Sequence, residues 1–180
     1  MAEEKTLSSR QAFDGGHLSL RIDTVRMADG GESTREIIEV GDAVVIISID
    51  ENDNILLVKQ YRKAVEMELL EIPAGGIDSG EDPETAVHRE MQEETGYLPG
   101  KVEKLGGFYS TPGFCTEYLY LYLATELTPS RLHAEDTAGI SLVRIPVTEI
   151  PTLLTSGRIK DSKSIAGLYM YLEYRRNRST

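Results

Sequence analysis

Residues 75–97 read GGIDSGEDPETAVHREMQEETGY. Asp82 followed by Pro83 is a helix start: an aspartate N-cap accepts from the first free N–H groups, and proline is pre-set for the first helical position. Gly96 marks the stop, because glycine tolerates the left-handed backbone that often closes helices. A helix over this span puts Glu90 and Glu94 one turn apart, with Glu93 beside them. Like charges at that spacing cost a helix roughly a few tenths of a kcal/mol per pair. Solvated helices relieve the repulsion with interspersed lysines, and this one has only Arg89. The crowding extends outward: Glu66, Glu68, Glu71, Asp78, Glu81, Asp82, Glu84, Glu90, Glu93 and Glu94 lie between Glu66 and Gly100 against that one arginine. A solvated acidic face is the usual reason for such a run. A site for a hard divalent cation, which takes oxygen ligands, is the alternative, and the spacing of the helix carboxylates favours it. Gly75, Gly76 and Gly80 let the preceding loop bring backbone close to the ion, with Ala74 offering a carbonyl.

The rest of the chain builds around this helix. Leu18, Leu20 and Ile22 alternate with polar residues, Asp29-Gly30-Gly31 offers a turn, and Arg35–Val40 returns, which predicts an N-terminal hairpin. Ala43–Ile49 is unbroken apolar sequence, the mark of a strand buried on both faces. A turn at Glu51–Asn54 leads into a strand at Ile55–Tyr61. Further strands are expected at Val102–Tyr109, Glu117–Ala124 and Ile140–Ile145; in the second, tyrosines 118, 120 and 122 alternate with leucines 119, 121 and 123. Helices are expected near Thr148–Ser156 and Ser162–Arg176, the latter with Ile165, Leu168 and Leu172 as its buried stripe. Mixed strands with helices between and after them imply an α/β layered domain, residues 42–180, preceded by a β extension over residues 1–41.

Composition sets limits on function. The formal net charge of −11 argues against non-specific nucleic-acid binding, which needs basic patches. No apolar run approaches the ~20 residues of a membrane span. The N-terminus lacks the apolar stretch of a signal peptide, and Cys115 is the single cysteine; both suit a reducing cytoplasm. Asp50–Asn54 opens like a calcium loop, but Ile55 and Tyr61 stand where that loop needs Gly and Glu, so it reads as a turn. His17, His88 and His133 show no zinc spacing.

The stretch 75–97 resembles the Nudix box: Gly, five residues, Glu, seven residues, Arg-Glu, an aliphatic, any residue, Glu-Glu, any residue, Gly, an aliphatic. Gly75, Glu81, Arg89, Glu90, Met91, Glu93, Glu94 and Gly96 stand at the fixed places, and Tyr97 takes the last, where aliphatics are commoner. The resemblance implies a Nudix fold, an α/β/α sandwich with a mixed sheet and an N-terminal antiparallel β-hairpin extension. It implies Mg²⁺, with Mn²⁺ as a substitute, held by Glu90 and Glu94 with Glu93 and the Ala74 carbonyl. Arg89 is similar to the residue that orients those carboxylates, and Glu81 to a supporting acid near metal and substrate. The ions would neutralise a pyrophosphate and lower the pKa of the attacking water.

Downstream, Ser110-Thr111-Pro112-Gly113-Phe114-Cys115-Thr116-Glu117 resembles the ADP-ribose pyrophosphatase branch, as does Glu71-Ile72-Pro73-Ala74-Gly75. That likeness implies hydrolysis of ADP-ribose to AMP and ribose 5-phosphate, with another nucleoside diphosphate sugar (GDP-mannose, UDP-glucose) as the alternative substrate. A non-catalytic nucleotide-binding regulatory module is the alternative of another class; such modules usually lose box carboxylates, whereas Glu90, Glu93 and Glu94 are all present. The likeness places Pro112, Gly113 and Glu117 at the substrate, with Arg35 and Glu36 on the second N-terminal strand and Arg62 at the end of the strand before the box. In relatives the N-terminal hairpin is exchanged within a homodimer. The catalytic base stays open: Glu135 and Asp136 stand in the expected loop, counting back from Val143–Ile145 can put Ala138 at the position, and Glu93 competes from the box.

Overall fold

The computed structural model describes residues 3–134 and 139–178. They group into two compact units, one of Met1–Asp42 with Tyr109–Tyr118, the other of Ala43–Phe108 with Leu119–Thr180.

The first unit is an antiparallel sheet of β1 (Lys5–Asp14), β2 (Leu18–Arg26) and β3 (Glu32–Val40). The expected hairpin is β2–β3, closed where Gly30 takes a positive φ of 86°. β1 was not expected. All ten of its residues are exposed, so it carries no alternation of buried and polar positions. Segment 109–118 joins this unit through a bridge between Ile38 and Cys115 and through the bonds of Ile38 N–H to Phe114 O (2.7 Å) and Thr116 N–H to Ile38 O (3.0 Å).

The second unit carries the mixed sheet, in the order β10 (Ser141–Pro146), β5 (Asn54–Arg62), β4 (Ala43–Ile49), β9 (Tyr118–Pro129), β8 (Tyr97–Tyr109). β4 runs parallel to β9 and antiparallel to β5. The short strands β6 (Met67–Glu71) and β7 (Ala74–Gly76) pair with β5 and β4. As its sequence requires, β4 is buried on both sides. Val45, Ile47 and Ile49 pack with Leu119 and Leu121 against α2 (Ile150–Thr155) and α3 (Ser162–Arg178). Val44 and Ile46 pack with Tyr122 against α1 (Pro83–Glu90). The alternation of tyrosine and leucine in β9 thus feeds two cores, and the layers are α/β/α. No helix among the described residues is long and apolar enough to cross a membrane.

Two departures from the expected helices matter. The box helix is α only to Glu90, and Met91–Thr95 continue as a π turn closed by Gly96 at φ 78°. The Thr95 hydroxyl also donates to the Met91 carbonyl. In α3 the buried set is Ser164, Gly167, Leu168 and Tyr171, with Ile165 and Leu172 only partly covered. Gly167 is there because the helix backbone lies against the sheet: a Cβ would stand 2.8 Å from Ile72 Cδ1 and 3.2 Å from Leu121 Cδ1. Alanine would gain roughly 1 kcal/mol of helix propensity, but overpacking a filled core costs about 1–3 kcal/mol. Gly167→Ala is therefore expected to lower stability by about 1 kcal/mol in urea unfolding; an equal or higher midpoint would mean that Ile72 can yield.

Candidate active site

The site is built where the loop 74–81 folds back on the box helix. Asp82 caps that helix by accepting from the N–H groups of Glu84 (3.0 Å) and Thr85 (3.1 Å). Arg89, in the last turn of α1 just before the π segment, gathers the loop and helix acids together. Its Nε donates to Glu81 Oε1 at 3.0 Å and its Nη2 to Glu81 Oε2 and to the Gly76 carbonyl, both at 2.8 Å. Its Nη1 donates to Glu90 and reaches Glu93 at 3.4 Å. These bonds raise the Arg89 pKa above its ordinary value, while Glu81, hydrogen-bonded by the guanidinium, is held below the usual carboxylate range.

Glu90 and Glu94 differ from the surface acids around them. Both are buried, at 8 % exposure. Burial pushes the Glu90 carboxyl up despite the hydrogen bond from Arg89. Burial pushes Glu94 up to about 8, with the charge of Glu90 adding; the Ala74 N–H and the charges of Lys163 and Arg62 pull the other way. That N–H donates to Glu94 Oε2 at 3.0 Å. Gly75 is the close-approach residue, because a Cβ on it would stand 1.9 Å from the Glu90 carboxyl carbon. Two desolvated carboxylates whose pKa values burial raises, set against a backbone that leaves no room for a side chain, are a donor set a divalent cation fits. Among the described residues no three of His, Cys, Asp and Glu stand arranged to hold a metal: Glu90 and Glu93 turn to Arg89, and Glu94 turns to Ala74.

Of the site residues expected from sequence, Ala74, Glu81, Arg89, Glu90, Glu93 and Glu94 are thus brought together. Arg62 lies in the same unit but is engaged elsewhere: Nε and Nη2 hold the two oxygens of Glu71 at 2.9 and 2.7 Å. Arg35 and Glu36 lie on β3 in the first unit; Arg35 is bonded to Glu4, and Glu36 is exposed opposite Ile22. Pro112 and Gly113 occupy the exposed turn 111–115, in which Cys115 N–H donates to Thr111 O at 3.1 Å, and the Glu117 carbonyl accepts from Ser110 N–H at 3.1 Å. Glu135 and Asp136, and Ala138 with them, fall outside the described residues.

The comparisons with known proteins agree with this geometry. The family description "NUDIX domain" matches residues 40–168. The chain belongs to the Nudix family. A second description, "Nucleoside diphosphate sugar hydrolase N-terminal domain", matches residues 4–38 of this Nudix hydrolase. It is 38% identical to an ADP-ribose pyrophosphatase of Mycobacterium tuberculosis, covering 93% of this chain and 84% of that one. It is 36% identical to a methanol dehydrogenase activator of Bacillus methanolicus, covering 95% and 94%. A GDP-mannose pyrophosphatase of Yersinia enterocolitica is 34% identical, with 81% of each chain covered. The fold is that of a solved ADP compounds hydrolase, with a TM-score of 0.90, 20% identity and coverage of 98% and 96%.

Sequence reasoning missed the cluster beneath Glu94, where Glu71, at 1 % exposure, is paired to both Arg62 and Lys163. Burial would raise its pKa, but the Arg62 hydrogen bonds and the Lys163 charge bring it below its ordinary value. A carboxyl depressed by folding contributes stability above its unfolded pKa of ~4.3 and loses it as pH falls through the folded value. Glu71→Gln is expected to cost about 2 kcal/mol or more at pH 7, since Lys163 is left under-paired. The gap to wild type in urea unfolding should close in acid, and a gap that stays constant down to pH 3 would show that the charge of Glu71 is not what stabilises.

Proposed function

We propose that this Nudix hydrolase cleaves the pyrophosphate of ADP-ribose to AMP and ribose 5-phosphate, with Mg²⁺ as its cation and Mn²⁺ as a substitute. The observation that carries the reading is the pair of buried carboxylates, Glu90 and Glu94, packed against a glycine loop. Together with Glu93 and the Ala74 carbonyl they would hold the cation. Bound there, the cation would neutralise the pyrophosphate and ease deprotonation of the attacking water.

The protein's own part is positioning and proton transfer. Arg89 spends its guanidinium on Glu81, Glu90, Glu93 and Gly76, so its role is to orient acids, and Glu81 ties the loop to the helix. Glu93, which Arg89 reaches only at 3.4 Å, is one candidate for the base that activates the attacking water. Glu135 is the other candidate base. Arg35, Glu36 and Arg62, with Pro112, Gly113 and Glu117, are proposed to bind nucleotide and sugar; forked guanidinium donors suit phosphate. GDP-mannose or UDP-glucose is the alternative substrate, supported by the relative that acts on GDP-mannose.

We also propose residues 1–41 as a dimerisation element on a hydrolase domain of 42–180, supported by the exposure of the whole of β1. Light scattering should then give about twice the chain mass of 20.0 kDa, and a monomer at micromolar concentration would dispose of this element's role.

The deciding experiment is a panel of ADP-ribose, GDP-mannose, UDP-glucose and NADH with Mg²⁺, with and without excess EDTA. ADP-ribose should lead by kcat/KM, yield AMP and fail in EDTA; another leading compound would overturn the substrate assignment but not the pyrophosphatase one. Glu94→Gln should fold and lower kcat by about 10²-fold or more. Wild-type turnover in that variant would remove Glu94 from the metal set.

A further inference from the structure

The ion cluster at the start of α3 has no part in the chemistry described so far. Lys163 Nζ donates to Glu71 and, at 2.8 Å, to Asp161 Oδ2. The same Asp161 oxygen accepts from the Ser164 N–H at 3.0 Å and the Ser164 hydroxyl at 2.6 Å. The Ser164 oxygen in turn accepts from the Ile72 N–H at 2.9 Å. A buried ion cluster is weak evidence for stability, because a well-packed apolar contact of the same volume serves as well or better. What it supplies is a fixed position, and here the element it fixes is the two-residue step between β6 and β7.

That step leads directly into the cation site. Ile72 gives its N–H to Ser164; Pro73 has none to give, and its carbonyl accepts from Ile46 N–H at 2.9 Å; Ala74 gives its N–H to Glu94 at 3.0 Å. A third contact seats α3 on the same residue, since the bare Gly167 backbone lies against Ile72. The segment is therefore held from the α3 side by Ser164, Lys163 and Gly167, and it presents Ala74 to Glu94 on the other.

We propose that Ser164 and Lys163 are positioning residues for the cation site: by fixing Glu71–Ala74 they hold the Ala74 peptide where it orients Glu94. This rests on the hydrolytic reading above and adds to it a part of the chain 66 and 67 residues beyond Tyr97, the last residue of the box. Both residues act through Glu71, Asp161 and the Ile72 N–H. Their effect is carried by a backbone amide, so it shows in cation affinity before it shows in substrate affinity.

The test uses the full chain and Mn²⁺ alone, with free Mn²⁺ read by electron paramagnetic resonance, alongside thermal melts and steady-state kinetics. Ser164→Ala and Lys163→Gln should each weaken Mn²⁺ binding about tenfold, the scale at which orienting partners of metal ligands act. At saturating metal, KM for ADP-ribose should change less than threefold. Lys163→Arg, which keeps the cation beside Glu71 and Asp161, should stay within threefold of wild type in Mn²⁺ affinity. Lys163 is partly exposed (15 % for its side chain), so its variants report even if Ser164→Ala does not fold. Wild-type Mn²⁺ affinity in Lys163→Gln, or equal losses in Lys163→Gln and Lys163→Arg, would overturn the positioning role and leave the hydrolytic reading intact. A wild-type chain that binds no Mn²⁺ would overturn both.

Discussion

Acidic side chains at positions 81, 90 and 93 can converge only around a group with enough donors to serve them, and Arg89 is that group. A guanidinium offers five N–H donors in a rigid fork, and here all three nitrogens are engaged, on Glu81, Glu90, Glu93 and the Gly76 carbonyl. The balance is favourable on magnitude. Like-charge neighbours on a helix cost roughly a few tenths of a kcal/mol per pair, whereas a hydrogen bond to a charged partner is worth about 1.5–3 kcal/mol when desolvated. A lysine would neutralise one unit of charge but could not span the helix and the loop together. Loop position, helix acids and the closeness of Gly75 to Glu90 all follow from this one side chain.

Glu94 sits outside the reach of that fork, and the fold treats it differently. It is as buried as Glu90 but receives only a backbone N–H, and its pKa is the one burial lifts furthest among the box acids. One acid is held by a permanent cation and the other is left to an amide. That division lets the site keep a strong demand for positive charge without unfolding the helix in its absence.

Much of this was legible in the sequence because it is local. The box spacing, the Asp82 cap, the Gly96 stop, the doubly buried β4 and the two-faced β9 are each read within a few residues, and each stands as expected. β1 was not legible, because a strand exposed on both faces leaves no hydrophobic period to find. The early start of β8 at Tyr97 was hidden by Pro99 and Gly100, which in isolation argue for a turn. The π turn over Met91–Thr95 was hidden because the same residues fit an ordinary helix; only the Gly96 closure and the Thr95 hydroxyl fix the wider turn.

The ion cluster marks the limit of local reading. Glu71 and Lys163 are 92 residues apart, and in sequence each is one more charge among many. What brings them together is the packing of α3 on β4 and β9, which buries Leu168 and needs glycine at 167. Once that helix is seated, its first turn has nowhere to go except against Ile72, and the polar groups there must be paired because they are out of water. The polar network near the site is therefore a consequence of apolar packing on the opposite face of the sheet from α1. Through it, the hydrophobic core on one side of the sheet sets the backbone that meets Glu94 on the other.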